Sequence, residues 1–251
     1  MPIITLLTDF GISDTYVAEV KAVLLSRVPG ATLVDVNHLV SPGAIRVAQY
    51  FLARAWPRFP LGSVHLAVVD PGVGTPRRAL AAETGGHAFV APDNGLLSVL
   101  PGDARFVSLP VLRDAAPTFH ARDVFAPAAA RLAAGARLDE LGPPLTDPLR
   151  DPLPVPRVDG GTLVGEVIHV DRFGNLISNI PCDPVGRSSA ITVAGEVVGS
   201  LRRTFGDVAR GQLVAYRGSG GTVEIAVRDG SAAEQVGAGA GALVTAQLAG
   251  R

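Results

Sequence analysis

The strongest constraint on this chain is a change of pattern just past its middle. Residues 143–156, PPLTDPLRDPLPVP, hold six prolines. Proline fixes φ and donates no N–H, so this stretch is stiff and extended and cannot run through a helix interior or a central strand. The sequence before it alternates two grammars. PIITLLTD, ATLVDV and SVHLAVVD are apolar runs of strand length. TYVAEVKAVLLSRV, with Asp14 as a candidate cap, and AIRVAQYFLARAW, behind Ser41-Pro42, carry apolar residues at helical spacing. RALAAET and HAFVAP read as paired strands around Gly85-Gly86, and DVFAPAAARLAA as a later helix with Asp123 near its start. After the prolines come only short β-like runs: GTLVGEVIHVD, LISNI, AITVAG, EVVGSL, QLVAYRG, GTVEIAV and ALVTAQL. No helix is expected there. The pattern predicts an α/β N-terminal domain with a largely parallel sheet over 1–142, a Pro-rich linker over 143–158, and a smaller all-β C-terminal barrel over 159–251.

Composition removes several function classes. With 47% hydrophobic and 18% charged residues, the 251-residue chain can build sizeable cores, which argues against disorder. A net charge of −1 offers no basic stripe for nucleic acid or an anionic membrane. No run approaches the ~20 apolar residues of a membrane span. MPIITLLTDFG lacks a basic segment ahead of its apolar one, so no signal peptide and a cytoplasmic location are expected. Cys182 is alone, which forbids an internal disulfide and suits a small apolar filler. Lys21, the one lysine, lies in a helical stretch, unsuited to Schiff-base chemistry.

Ligands of α/β sheets gather at the carboxyl ends of the strands. Three polar clusters fall there: TDFG (8–11), DPGVG (70–74) and APDNG (91–95). Each alone reads as an ordinary turn; three on one edge make a pocket. VVDPGVGTPRRA (68–79) lacks the third glycine of a dinucleotide fingerprint and the Gly-Lys-Ser/Thr of a phosphate loop. Its glycines leave two readings open: an ordinary structural turn, or a turn that holds the acid Asp70 and the cation Arg77 for other chemistry, with an outward, solvated place as the default for Arg78. His120, in FHARDVFAP, sits at a polar helix start, whereas His38, His65, His87 and His169 lie in or beside apolar runs and read as structural. No HxH or HExxH pairing occurs, so no metal is expected. In the second half, VDRFGNLISNI reads as a hairpin turning at Gly174-Asn175, and YRGSGGTVEIAV as another glycine-rich turn.

TDFG, VDPGVGTPRR, APDNG, TFHARDVFAP, the DRFGN…SNI hairpin and GSGGTVEIAV, in that order, resemble the S-adenosyl-L-methionine hydroxide adenosyltransferases, relatives of the fluorinating and chlorinating enzymes that act on the same substrate. The resemblance implies that water attacks the adenosyl 5′ carbon of S-adenosyl-L-methionine, giving adenosine and L-methionine, with no cofactor and no metal. It implies a homotrimer in which substrate binds between the N-domain of one subunit and the barrel of the next. By motif, it places Asp70, Arg77 and His120 around the nucleophile. Asp9 would hold the ribose hydroxyls, Asp171 and Ser219 the amino-acid end, Asn175 the ribose or adenine, and Phe205 the adenine face. The halogenating relatives carry tyrosine at the Asp70 position, so Asp70 argues for water. A halogenase and a non-catalytic adenosine- or nucleotide-binding module are the alternative readings.

Overall fold

The computed structural model describes residues 1–186 and 189–249. The chain divides into two compact units, Met1–Leu153 and Pro154–Arg251.

The first unit is a seven-stranded sheet with helices on both faces. Its strands are β1 (Ile3–Thr8), β2 (Thr32–Asn37), β3 (Val64–Val68), β4 (Ala79–Thr84), β5 (His87–Pro92), β6 (Arg105–Leu109) and β7 (Pro144–Leu145), in the order β2-β1-β3-β5-β4-β6-β7. The helices are α1 (Tyr16–Arg27), α2 (Ile45–Ala55) and α3 (Ala126–Ala133). Strands β1 and β3 are buried almost throughout and mostly apolar, because both of their faces are covered. Ile4, Leu6, Val64, Leu66 and Val68 pack with Val20 and Leu24 of α1 and with α3, while Leu7, Ala67 and Val69 join Ala48 and Leu52 of α2.

The sheet is mixed rather than largely parallel. β2, β1, β3 and β5 run parallel, but β5–β4, β4–β6 and β6–β7 are antiparallel. The cause is local: β4 and β5 are joined by the two residues Gly85-Gly86, and so short a turn can only reverse the chain. The parallel strands β1, β3 and β5 therefore end on one edge and deliver TDFG, DPGVG and APDNG there. Helix α1 begins one residue later than the Asp14 cap requires. Thr15 is its N-cap without a side-chain cap bond, and its hydroxyl instead donates to Glu19 at 2.8 Å.

The second unit holds β8 (Arg157–Asp159), β9 (Thr162–Val170), β10 (Leu176–Pro181), β11 (Ile191–Val193), β12 (Glu196–Gly199), β13 (Leu201–Arg202), β14 (Leu213–Arg217), β15 (Thr222–Val227) and β16 (Leu243–Gln247). They pair along the path β12-β11-β16-β9-β10-β15-β14-β13, with β8 on β9. Leu163, Val167, Ile180, Ile191, Ile225 and Val244 fill its core. One helix does occur here, contrary to expectation: α4 (Ala232–Val236). Ser231 caps it by accepting from Glu234 N, and Gly237 ends it in the left-handed region. At five residues it is too short to show helical periodicity, and only its two caps mark it in the sequence.

Candidate active site

Asp70 leaves the end of β3 into the loop that returns to β4. Gly74 sits at φ +77°, and a Cβ there would lie 2.8 Å from the Pro117 carbonyl oxygen. Glycine thus lets this loop lie against the segment that carries His120. Arg77 reaches back across the loop. Its Nε donates to Asp70 Oδ1 at 2.9 Å and its Nη2 to Asp70 Oδ2. Nη2 also donates to His120 Nδ1 at 2.9 Å. The guanidinium lies 5.2 Å from the centre of the Phe125 ring. Both side chains of the ion pair are buried, at 8% and 5% exposure.

These contacts fix the imidazole. A guanidinium only donates, so His120 Nδ1 accepts and the ring proton sits on Nε2. Burial, then the Arg77 cation, hold the His120 pKa below the ordinary imidazole value, with Asp70 and Asp123 opposing. The residue is therefore a neutral Nε2–H donor at neutral pH.

Asp70 and His120 open onto a cavity of about 590 Å³, shared with Asp9, Phe10, Tyr16 and Phe119. That volume suits a small organic ligand. Asp9 is held by Gly43 N, which donates to Oδ2 at 2.8 Å. The three aromatic rings meet edge-on, with centroids 5.2–6.1 Å apart. Arg122 caps Phe119 at 4.9 Å from its centroid and ion-pairs with Glu19 and Asp123. A cleft of about 630 Å³ between Val23, Leu112 and Arg131 is as large but lacks the cluster, so chemistry rather than size selects the site.

The second unit has its own cavity, of about 490 Å³, bordered by Asp171, Asn175, Phe205, Tyr216 and Glu224. Asp171 also builds its own turn: Oδ1 accepts from Phe173 N and Asn175 N at 2.8 and 2.9 Å, and Oδ2 from Asn175 Nδ2 at 2.8 Å. Gly174, at φ +80°, leaves room for Ser231, whose Oγ would be 2.1 Å from a Cβ. Phe205 opens a one-turn 3₁₀ segment and is 58% exposed, a free aromatic face. Burial, reinforced by Glu224, pushes the Tyr216 phenol up to about 12. Ser219 lies in the exposed turn between β14 and β15, outside the cavity wall.

The sequence-predicted residues thus fall into two groups. Asp9, Asp70, Arg77 and His120 come together in the first unit, and Asp171, Asn175 and Phe205 in the second. Two of the three strand-end clusters border the first cavity, but Asp93 and Asn94 of the third do not. Arg78 is part-exposed but not merely solvated: it ion-pairs with Asp93 and Asp147 at 2.7 and 2.8 Å. His38 and His65 are structural, bonded to Thr8 and Thr5 at 2.7 and 2.8 Å. Cys182 is buried, and its thiol is pushed up to about 11. Sequence reasoning missed Phe10, Tyr16 and Phe119. Aromatic residues make up only 5% of the chain, so their clustering in TDFG, DTY and TFHARD was a readable signal. Among the described residues no group of three or more His, Cys, Asp or Glu side chains could hold a metal ion. No helix among them is long and apolar enough to cross a membrane.

A two-layered helix cover over a mixed sheet, a carboxylate–guanidinium–imidazole cluster at its strand ends and a separate β unit define a two-part enzyme architecture. Residues 4–142 match the SAM hydroxide adenosyltransferase N-terminal domain, and residues 165–245 the corresponding C-terminal domain. The chain belongs to this family. It is 45% identical over 245 residues to a Thermus thermophilus protein named (R)-S-adenosyl-L-methionine hydrolase, covering 92% of this chain and 94% of that one. A Salinispora tropica protein of the same name is 42% identical, with 94% of each chain covered. An Actinoplanes fluorinase is 31% identical over 71% of this chain and 72% of its own. Among solved structures, an uncharacterized conserved protein from Thermotoga maritima superposes with a TM-score of 0.91 at 35% identity, covering 98% of this chain and all of that one.

Proposed function

We propose that this protein hydrolyses S-adenosyl-L-methionine to adenosine and L-methionine, a water attacking the adenosyl 5′ carbon. The observation that carries the reading is the buried Asp70–Arg77–His120 cluster, whose Asp70 and His120 line the cavity. Methionine leaves a sulfonium as a neutral thioether, so the reaction needs no cofactor to activate the leaving group. Positive charge vanishes as the bond breaks, and a site from which bound substrate displaces water favours that change. The remaining demand is on the water, which must be held in line and relieved of a proton. In-line positioning alone is worth roughly 7–11 kcal/mol in favourable cases.

The hydrogen bonds divide the roles. The His120 Nδ1 lone pair is occupied by Arg77, so its Nε2–H serves as a donor that holds the water oxygen. Asp70 keeps lone pairs beyond its bonds to Arg77 and accepts the proton. Arg77 fixes both. Asp9 takes the ribose hydroxyls in the same cavity. Asp171, Asn175 and Phe205 hold the rest of the substrate, with Ser219 at the amino-acid end. The halogenase alternative is disfavoured because a halide beside the Asp70 carboxylate would meet a like charge. We also propose the homotrimer, with neighbouring chains sharing each site.

Incubation with S-adenosyl-L-methionine in ¹⁸O-water, with and without chloride, tests the reaction. Label in the 5′ oxygen of adenosine is expected. A chlorinated nucleoside, or tight binding with no turnover, overturns it. Co-expressing Asp70→Ala and Asp171→Ala subunits tests the sharing: activity returns in the mixture only if one site draws on two chains.

A further inference from the structure

The APDNG cluster does not border the site cavity, yet its Asp93 side chain is only 4% exposed and fully engaged. It meets both ends of the loop that carries Asp70 and Arg77. At the entry, Asn94 Nδ2 donates to the Val69 carbonyl at 2.8 Å, one residue before Asp70. At the exit, Asp93 N donates to the Arg78 carbonyl at 3.0 Å, one residue after Arg77. The Asp93 carboxylate accepts from Arg78 Nε at 2.7 Å and from Leu149 N at 2.7 Å. Arg78 then spans to the proline-rich stretch, donating to Asp147 Oδ1 and the Asp147 carbonyl at 2.8 and 2.7 Å. Asn94 Oδ1 accepts from Leu96 N at 3.2 Å, which sets the side chain's own direction.

Between those two anchors the loop holds Gly72 and Gly74, the residues with the most backbone freedom to lose. The Asp70–Arg77 pair closes the loop on itself, and a single hydrogen bond from Arg77 ties it to His120. The two outer anchors hold the backbone at each end of the loop. We propose that Asn94, Asp93 and Arg78 are positioning residues that clamp both ends of the 70–78 loop and so hold Asp70 and Arg77 at their place against His120. The clamp's effect on catalysis rests on the proposed function; its effect on the loop does not.

Two variants separate the clamp from general stability. N94D keeps the acceptor for Leu96 N but loses the donor to Val69. R78K keeps the charge, but one ammonium cannot span Asp93 and both Asp147 acceptors. Arg78 is 36% exposed, so R78K keeps the test open where N94D does not fold. Steady-state turnover of S-adenosyl-L-methionine and hydrogen exchange of amides 69–78 are both measured, with thermal melts as the folding check. The expected result is a kcat lowered about 10- to 100-fold with KM within twofold, since a misplacement of about 1 Å costs about 10²-fold. Exchange over 69–78 rises while α1 and α2 stay protected. Folded variants with kcat within twofold and unchanged exchange overturn the proposal. So does a raised KM at constant kcat, which would make these residues substrate contacts. If the wild-type protein releases no adenosine, the proposed function falls by itself, and the exchange measurement still decides the clamp.

Discussion

Two buried histidine clusters sit in the first unit and share one electrostatic symptom. At the cavity, His120 accepts from Arg77, which is paired with Asp70. In the interior, His65 bonds Thr5 through Nδ1 at 2.8 Å and His87 through Nε2 at 3.1 Å. His65 stacks on Phe89, and Trp56 meets His87 edge-on. Burial depresses the pKa of all three imidazoles. A perturbed histidine therefore does not identify a site. What distinguishes His120 is its bond to a cation that is itself paired with a carboxylate at the cavity. His87 also borders a cleft, of about 520 Å³, but the bonds of the interior pair run to a hydroxyl and to each other, amid aromatic rings.

The sharpest way to break this contrast is Asp70→Asn. The shape is kept and the proton acceptor is lost, so kcat should fall about 10²- to 10⁴-fold. Binding of S-adenosyl-L-methionine by calorimetry should persist. Activity within tenfold of wild type would put the cavity cluster on the same structural footing as the interior one. Arg77→Gln is the next step down. It removes the smaller of the two forces that depress His120, so its imidazole NMR titration should move up toward the ordinary value, while His65 stays where it is.

How far the sequence revealed this contrast depends on what lies beside each residue. Asp70, Arg77 and His120 are flanked by glycines, prolines and charges, which apolar cores do not tolerate, so they stood out. The interior status of His65 was legible as well, because SVHLAVV leaves it inside an apolar run. Arg78 was misread because its partners, Asp93 and Asp147, are 15 and 69 residues away. The mixed sheet is not legible in the apolar runs, because strand direction is set by connection length: the two-residue Gly85-Gly86 link reverses the chain whatever the strands contain. α4 escaped because five residues carry no period.

The interior pair answers to pH through stability rather than rate. Burial, and then the neighbouring His87, lower the His65 pKa to about 3 from 6.5. The unfolded chain thus takes up a proton on this ring near pH 6.5, and the folded one resists until about 3. Between those values the unfolded state binds more protons, so stability falls as pH falls and is flat above 6.5. Each tenfold suppression of proton binding is worth ~1.4 kcal/mol, so the total is on the order of a few kcal/mol. Melting temperatures from pH 7.5 to 5, above the main carboxylate range, should drop in the wild type and drop less in His65→Gln. Equal slopes would mean that the ring is not kept neutral by the fold.

The smallest effect is expected from Thr5→Val, which swaps a hydroxyl for a methyl of nearly the same shape. It leaves His65 Nδ1 buried with no partner from that side, and orphaning a buried polar group costs about 1–3 kcal/mol. In a domain of this size that is a melting-temperature loss of roughly 2–12 °C. Thr5 touches neither the cavity nor the 70–78 loop, so kcat and KM should stay within twofold. β1 links the two regions, with Thr5 on the strand four residues before Asp9, which follows its end and lines the cavity. A Thr5→Val protein that melts normally but turns over slowly would show that strain in the interior pair reaches the cavity along that strand, and the division between a structural and a chemical histidine cluster would no longer hold.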